Sequence, residues 1–260
     1  MRIPDAPIKV DITDESFAGV TYHLRGGLVP ELQIELSGQA VMFEHHTLLW
    51  KEHQVGIGLH KLPSGLKRKF VMGMDFFITK TEGDGRVAFS RDWPGQCIPI
   101  HLSHGQEIDV REHHFLAATD NIEYTYERVK GLRNMFMGGS GFWIDKFQAK
   151  HGDAIVWISG QGNVFEIELD AGEELDVEAG GWLYKEPSVT LASHSLGLKT
   201  GFMAGDHKMT WNRFTGPGKV AIQTMYIEPY ESEAGPASGG ARDAAAGGVA
   251  GAVISGLLRG

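Results

Sequence analysis

Polarity alternates along the chain in short runs. Leu32-Gln-Ile-Glu-Leu36, Arg86-Val-Ala-Phe-Ser90, Gln106-Glu-Ile-Asp-Val110 and Val164-Phe-Glu-Ile-Glu-Leu169 carry apolar side chains at every second position. A period of two belongs to a half-buried β-strand, whose successive side chains point to opposite faces. No helical periodicity runs between residues 8 and 230. Glycine, at 35 residues, punctuates the runs. Many short strands separated by Gly turns predict an all-β fold: a sandwich, a barrel or a repeat built from them.

The pattern repeats. Ile34-Glu-Leu-Ser-Gly-Gln39 resembles Ile100-His-Leu-Ser-His-Gly-Gln106, and both resemble Ile167-Glu-Leu-Asp-Ala-Gly-Glu173. The glycines at positions 38, 105 and 172 are equally spaced. Phe76-Phe-Ile78 and Phe142-Trp-Ile144 echo each other upstream, followed by turn signals at Pro94-Gly95-Gln96 and Gly160-Gln161-Gly162. Each motif reads as a strand, a tight turn needing φ > 0 at Gly, and a return strand. Equal spacing predicts three homologous β units, about 8–74, 75–140 and 141–228, forming one domain over 1–230.

Composition changes at the end. Ser232-Glu-Ala-Gly-Pro-Ala-Ser-Gly-Gly-Ala241 has a flexible-linker composition, and a Gly/Ala-rich stretch, Ala244 to Leu258, follows. Residues 231–260 are expected to be a linker and a weakly helical or disordered tail, because each Gly costs a helix about 1 kcal/mol. On a helix, positions 250, 253, 254, 257 and 258 line one apolar stripe. The formal net charge of −9 opposes nucleic-acid binding, which needs a basic footprint. The run Lys67-Arg-Lys69 is short and reads as a solvated loop. One cysteine, Cys97, excludes a disulfide framework and fits a reducing compartment. It lies in the apolar run Cys97-Ile-Pro-Ile100 and reads as a buried small hydrophobe.

Trp93-Pro-Gly-Gln-Cys-Ile-Pro-Ile-His-Leu102, Phe115-Leu-Ala-Ala-Thr-Asp120 and Gly216-Pro-Gly-Lys-Val-Ala-Ile-Gln-Thr224 resemble segments of the altered inheritance of mitochondria protein 24 family. The resemblance runs over nearly all of residues 8–228. It implies a fold similar to the trp RNA-binding attenuation protein. That fold is a short double-stranded β-helix, here in three similar units around a pseudo-threefold axis. It implies no catalytic residue set.

Two triplets carry the sharpest chemical signal. The resemblance implies small residues after the first Gly turn, where this chain has Glu44-His45-His46; the same triplet recurs as Glu112-His113-His114, while the third unit has Glu178-Ala-Gly-Gly181. Imidazoles and carboxylates are transition-metal ligands. Adjacent residues on a strand face opposite ways, so the pairs are expected to be structural rather than metal-binding unless a bulge intervenes. His101 and His104 lie close in sequence to the second triplet. No nucleophile elbow is present, since Gly138-Gly-Ser-Gly141 lacks the spacing, and no phosphate loop is present.

These readings lead to a non-enzymatic scaffold or interaction protein, with no catalytic, cofactor-binding or metal residue. Its expected partners are a second copy of itself and a protein of unknown kind. No nucleic acid is expected, and the tail is the candidate for peripheral membrane contact. No secretory leader is visible, and the expected location is cytoplasmic or at a membrane surface. The rival reading is a cupin-like metal-dependent enzyme or small-ligand binder.

Overall fold

The computed structural model describes residues 1–9, 14–59, 78–129, 143–195 and 210–226. The tail, Lys67-Arg-Lys69 and Gly138-Gly-Ser-Gly141 lie outside these residues. Among the described residues twenty strands form in chain order. The first eight are β1 (Glu15–Phe17), β2 (Val20–Arg25), β3 (Glu31–Leu36), β4 (Val41–Glu44), β5 (Leu48–Lys51), β6 (Gly56–Leu59), β7 (Ile78–Glu82) and β8 (Gly85–Phe89). Six more are β9 (Gly95–Leu102), β10 (Glu107–Arg111), β11 (Phe115–Thr119), β12 (Glu123–Arg128), β13 (Trp143–Gln148) and β14 (Ala154–Gln161). The last are β15 (Val164–Leu169), β16 (Glu174–Glu178), β17 (Trp182–Lys185), β18 (Thr190–Ser195), β19 (Thr210–Thr215) and β20 (Gly218–Gln223). Among the described residues the only helical element is one turn of 3-10 helix, His45–Thr47. The protein is all-β, and the four alternating runs lie in β3, β8, β10 and β15.

The described strands form four antiparallel sheets, in the orders β1-β2-β3-β8-β5, β6-β7-β4-β11-β14-β9, β12-β13-β10-β17-β20-β15 and β16-β19-β18. The Gly38, Gly105 and Gly172 turns are not hairpins. β3 pairs with β2 and β8, whereas β4 pairs with β7 and β11. Each turn therefore carries the chain from one sheet into the next. The three glycines have φ of +79°, +89° and +79°, the left-handed region that side chains avoid. A Cβ on any of them would meet nothing within 4 Å, so backbone conformation alone demands glycine.

The pairing of β3–β8 recurs twice. β3·β8, β5·β8, β4·β7 and β6·β7 become β9·β14, β11·β14, β10·β13 and β12·β13. They become β15·β20, β17·β20, β16·β19 and β18·β19 in the last third of the chain. A register shift recurs at Leu48/Trp50, Phe115/Ala117 and Trp182/Tyr184, with the same spacing as the three turn glycines. The unit boundaries read from the sequence, at 74/75 and 140/141, lie outside the described residues. They fall between strands that pair, β6·β7 and β12·β13.

Three apolar clusters fill the spaces between successive sheets. Tyr22, Leu32, Ile34 and Phe89 of the first sheet meet Val41, Phe43 and Trp157 of the second. Met42, Phe115, Val156 and Ile158 of the second meet Val110, Phe147 and Tyr184 of the third. Ile167, Trp182 and Val220 of the third meet Phe214 of the fourth. The central strands of the second sheet, β4, β11 and β14, are thus buried on both faces, which explains the near-continuous apolar run of β14.

Substitution should read the turn conformation directly. Gly105→Val or Gly172→Val is expected to cost about 1–3 kcal/mol in chemical denaturation, and Asn at the same positions clearly less, because Asn tolerates φ > 0. Equal stability of the Val and Asn variants would contradict the strain.

Candidate functional site

The chain crosses between the second strand pair of each repeat at three corresponding corners. Thr47, His114 and Gly181, at the spacing of the repeat, present their carbonyls there. These accept backbone hydrogen bonds from Ser90 (2.9 Å), Ser159 (2.8 Å) and Gln223 (2.8 Å). The corners share a backbone scheme but not their side chains, and a buried polar network runs through them.

At the first corner, Arg91 Nη2 donates to Glu44 Oε2 at 2.8 Å and to the Phe115 carbonyl at 2.6 Å. Both side chains of this ion pair are almost fully buried. His46 Nε2 is 3.2 Å from the same Glu44 oxygen and contacts Arg91 Nη1. The Arg91 guanidinium lies 5.0 Å from the centre of the Trp93 ring, within cation–π range. Trp93 then bridges to the second corner. Its Nε1 donates to Ser159 Oγ at 3.0 Å, and its ring lies 5.9 Å from that of His114.

His114 Nδ1 is 2.7 Å from the Ser159 carbonyl, so Nδ1 carries the proton and donates. Nε2 is then an acceptor, facing Gln223 Nε2 at 3.4 Å. Gln223 also donates to the Gly180 carbonyl (3.0 Å) and accepts from the Gln161 backbone (2.9 Å), which reaches the third corner. Arg111 Nη1 donates to the same Gly180 carbonyl at 2.5 Å. Burial, helped by the Arg111 charge, pushes the His114 pKa down to about 3. His114 is therefore neutral at ordinary pH, as its donor–acceptor roles require.

The triplets differ from the strand reading. His45–Thr47 is a 3-10 turn, and His113 sits in a turn with φ of +69°, so strand alternation does not govern them. Nor are they equivalent, because the triplets are offset by one position from the repeat that relates the corners. Glu44 corresponds to Arg111, and Glu112 to His45, whose side chain lies outside the described residues. His46 and His114 go to different partners. His101 faces Glu15 (2.9 Å) and Tyr22 (3.2 Å), and His104 lies on the Gly152–Asp153 turn. Among the described residues no three His, Cys, Asp or Glu side chains converge as a metal-binding group. Cys97 is buried, and burial pushes its thiol pKa well up.

Sequence reasoning assigned no role to Arg91, Ser159, Gln161 and Gln223, which hold the network together. It also missed a second buried pair, Lys185 and Asp109, 2.6 Å apart on the paired strands β10 and β17. Isolated polar residues at strand ends carry no periodic signal. The one available cue was Arg91 and Trp93 flanking a turn just after an apolar strand.

A model of the mitochondrial biogenesis AIM24 family matches residues 22–225, from β2 to the end of β20. The chain belongs to this family. An uncharacterized protein of Streptococcus pyogenes serotype M6 is 27% identical over 193 residues, covering 72% of this chain and 74% of the relative. The crystal structure of a Streptococcus pyogenes protein superposes with a TM-score of 0.62 at 21% identity, covering 80% of this chain and 94% of that one. That likeness establishes the shared fold. The AIM24 assignment names a process rather than a reaction.

Two measurements test the network. Removing one partner of a buried ion pair strands the other charge, so Arg91→Met should cost about 3–5 kcal/mol, and Glu44→Gln in the same chain should recover part of it. His114 has a folded pKa below its unfolded value near 6.5, so between about pH 6.5 and 3 the unfolded chain binds the extra proton. Stability should fall as pH drops through that window. His114→Gln should flatten the dependence in urea titrations, and an unchanged slope would contradict a buried neutral imidazole.

Proposed function

We propose that this chain is a non-enzymatic scaffold, built from three six-strand units and assembling through their edges. The units in this reading are β3–β8, β9–β14 and β15–β20, each an antiparallel ribbon coiled as a short double-stranded β-helix. The recurring pairings and the register shift common to all three support this reading, in which a pseudo-threefold axis relates the units. The observation that carries it is the position of exposed apolar side chains. Leu49 (58% exposed), Trp50, Ile57 and Leu59 (66%) all fall on β5 and β6. Among the described residues each of these strands pairs on one side only. An apolar edge strand is a ready template for another strand, and soluble proteins usually blunt such edges with charge or cover them.

The tail supplies the second contact in this reading, through its apolar stripe on a partner chain or a membrane surface. No helix among the described residues is long and apolar enough to cross a membrane. Deleting residues 231–260 should leave the melting temperature of the β domain nearly unchanged and weaken higher-order self-association or recovery with vesicles on flotation. If sedimentation and flotation are both unchanged, the tail has no part in assembly. The metal-dependent rival is tested by metal analysis of protein purified without chelating resin. One metal per chain, lost in His46→Ala or His113→Ala, would replace the scaffold reading.

A further inference from the structure

Two contacts join the repeated strand sets edge to edge. In the first, β4 pairs with β11, with Met42 opposite Ala118 and Phe43 opposite Ala117. In the second, one repeat further along the chain, β10 pairs with β17, with Asp109 opposite Lys185 and Val110 opposite Tyr184. The same step applied again leads from β10 to β16, and the matching strand for β17 is β5. Among the described residues neither β16 nor β5 has a partner on that edge: β16 ends the sheet β16-β19-β18, and β5 ends the sheet β1-β2-β3-β8-β5.

The two open edges carry the same chemistry as the closed contact. In the closed one, Asp109 has Lys146 on one flank, 3.9 Å away on β13, and Lys185 on the other, 2.6 Å away on β17. Asp176 and Arg213 stand one repeat after Asp109 and Lys146. Arg213 holds Asp176 in a two-pronged contact of 2.8 Å per bond. The cation for the other flank corresponds to Lys51, which is exposed at the end of β5. Trp50 likewise takes the place of Tyr184, opposite Val177 in the place of Val110.

We infer that β5 of one copy of this chain pairs antiparallel with β16 of a second copy, with Lys51 opposite Asp176 and Trp50 opposite Val177. The inference rests on the scaffold reading and names its partner. Register, apolar match and charge complementarity argue for that occupant together. The interface covers Leu49 and Trp50, pairs the backbone groups of both edges, and sets Lys51 against Asp176 as Lys185 is set against Asp109. Each copy offers one edge of each kind, so two copies closing on each other make two identical contacts, and continued addition makes a filament.

The test uses full-length chains in sedimentation velocity at micromolar concentration. Lys51→Asp and Asp176→Lys should each weaken self-association by at least about tenfold. An equimolar mixture should recover it, because one contact then has Asp at 51 facing Lys at 176 and the other is wild type. Since Arg213 opposes a lysine at 176, a second measurement avoids that variant. Trp50→Cys and Val177→Cys chains, mixed under mild oxidation, should form a disulfide-linked dimer that neither forms alone, with Cys97 buried. Wild-type assembly that ignores Lys51→Asp and yields no mixed disulfide overturns the edge pairing and leaves the scaffold reading standing. A wild-type chain that stays monomeric overturns both. Recovery only when both charge changes sit in one chain places the contact within a single copy and overturns the pairing of two.

Discussion

Backbone hydrogen bonding across strand edges is the constraint on which the rest of this structure depends. A strand has a row of donors and acceptors on each side, and burying either side unpaired costs more than most side-chain contacts return. Here the chain meets the demand by folding ribbons back on themselves, so that β8 serves both β3 and β5, and β7 serves both β4 and β6. The same arrangement is made again by β14 with β13 and by β20 with β19. Because β4 and β10 also reach across to β11 and β17, the ribbons share sheets, and the sheets share cores.

The polar network follows from that arrangement. Three chain crossings at matching places leave carbonyls and side chains buried, and each must find a partner. The repeat dictates the backbone bonds at Thr47, His114 and Gly181 but leaves the side chains free to differ. An Arg–Glu pair, a neutral histidine and a glutamine solve the same problem at the three corners. The two Glu-His-His triplets look like a repeat in the sequence and are not one in space. Their offset of one position gives Glu44 to Arg91 and leaves His114 on the Ser159 carbonyl.

Charge at the strand contacts shows the same economy. Asp109 and Lys185 form a buried pair where two strand sets meet, directly opposite each other in the pairing of β10 with β17, and removing either partner would leave the other charge buried and unpaired. The equivalent contact one repeat earlier sets Met42 opposite Ala118, so the charge pair belongs to one contact and not to the repeat as a whole.

Much of this was legible in the sequence. Period-two runs marked β3, β8, β10 and β15 because a half-buried strand must alternate. Gly38, Gly105 and Gly172 marked three equivalent turns because only glycine enters φ > 0 freely. The family was legible because those features recur in order along most of the chain. Sheet membership was not: the turns looked like hairpins, yet each sends its strands to different sheets, a choice made by partners far away along the chain. Nor was the polar network, since Arg91, Ser159 and Gln223 are far apart in sequence and ordinary in composition. Local sequence determines backbone conformation and which face of a strand is apolar, through sterics and the period of the side chains. Which edges meet, and which buried polar groups face each other, only the tertiary structure decides, because hydrogen bonds between distant strands depend on register that no single segment contains.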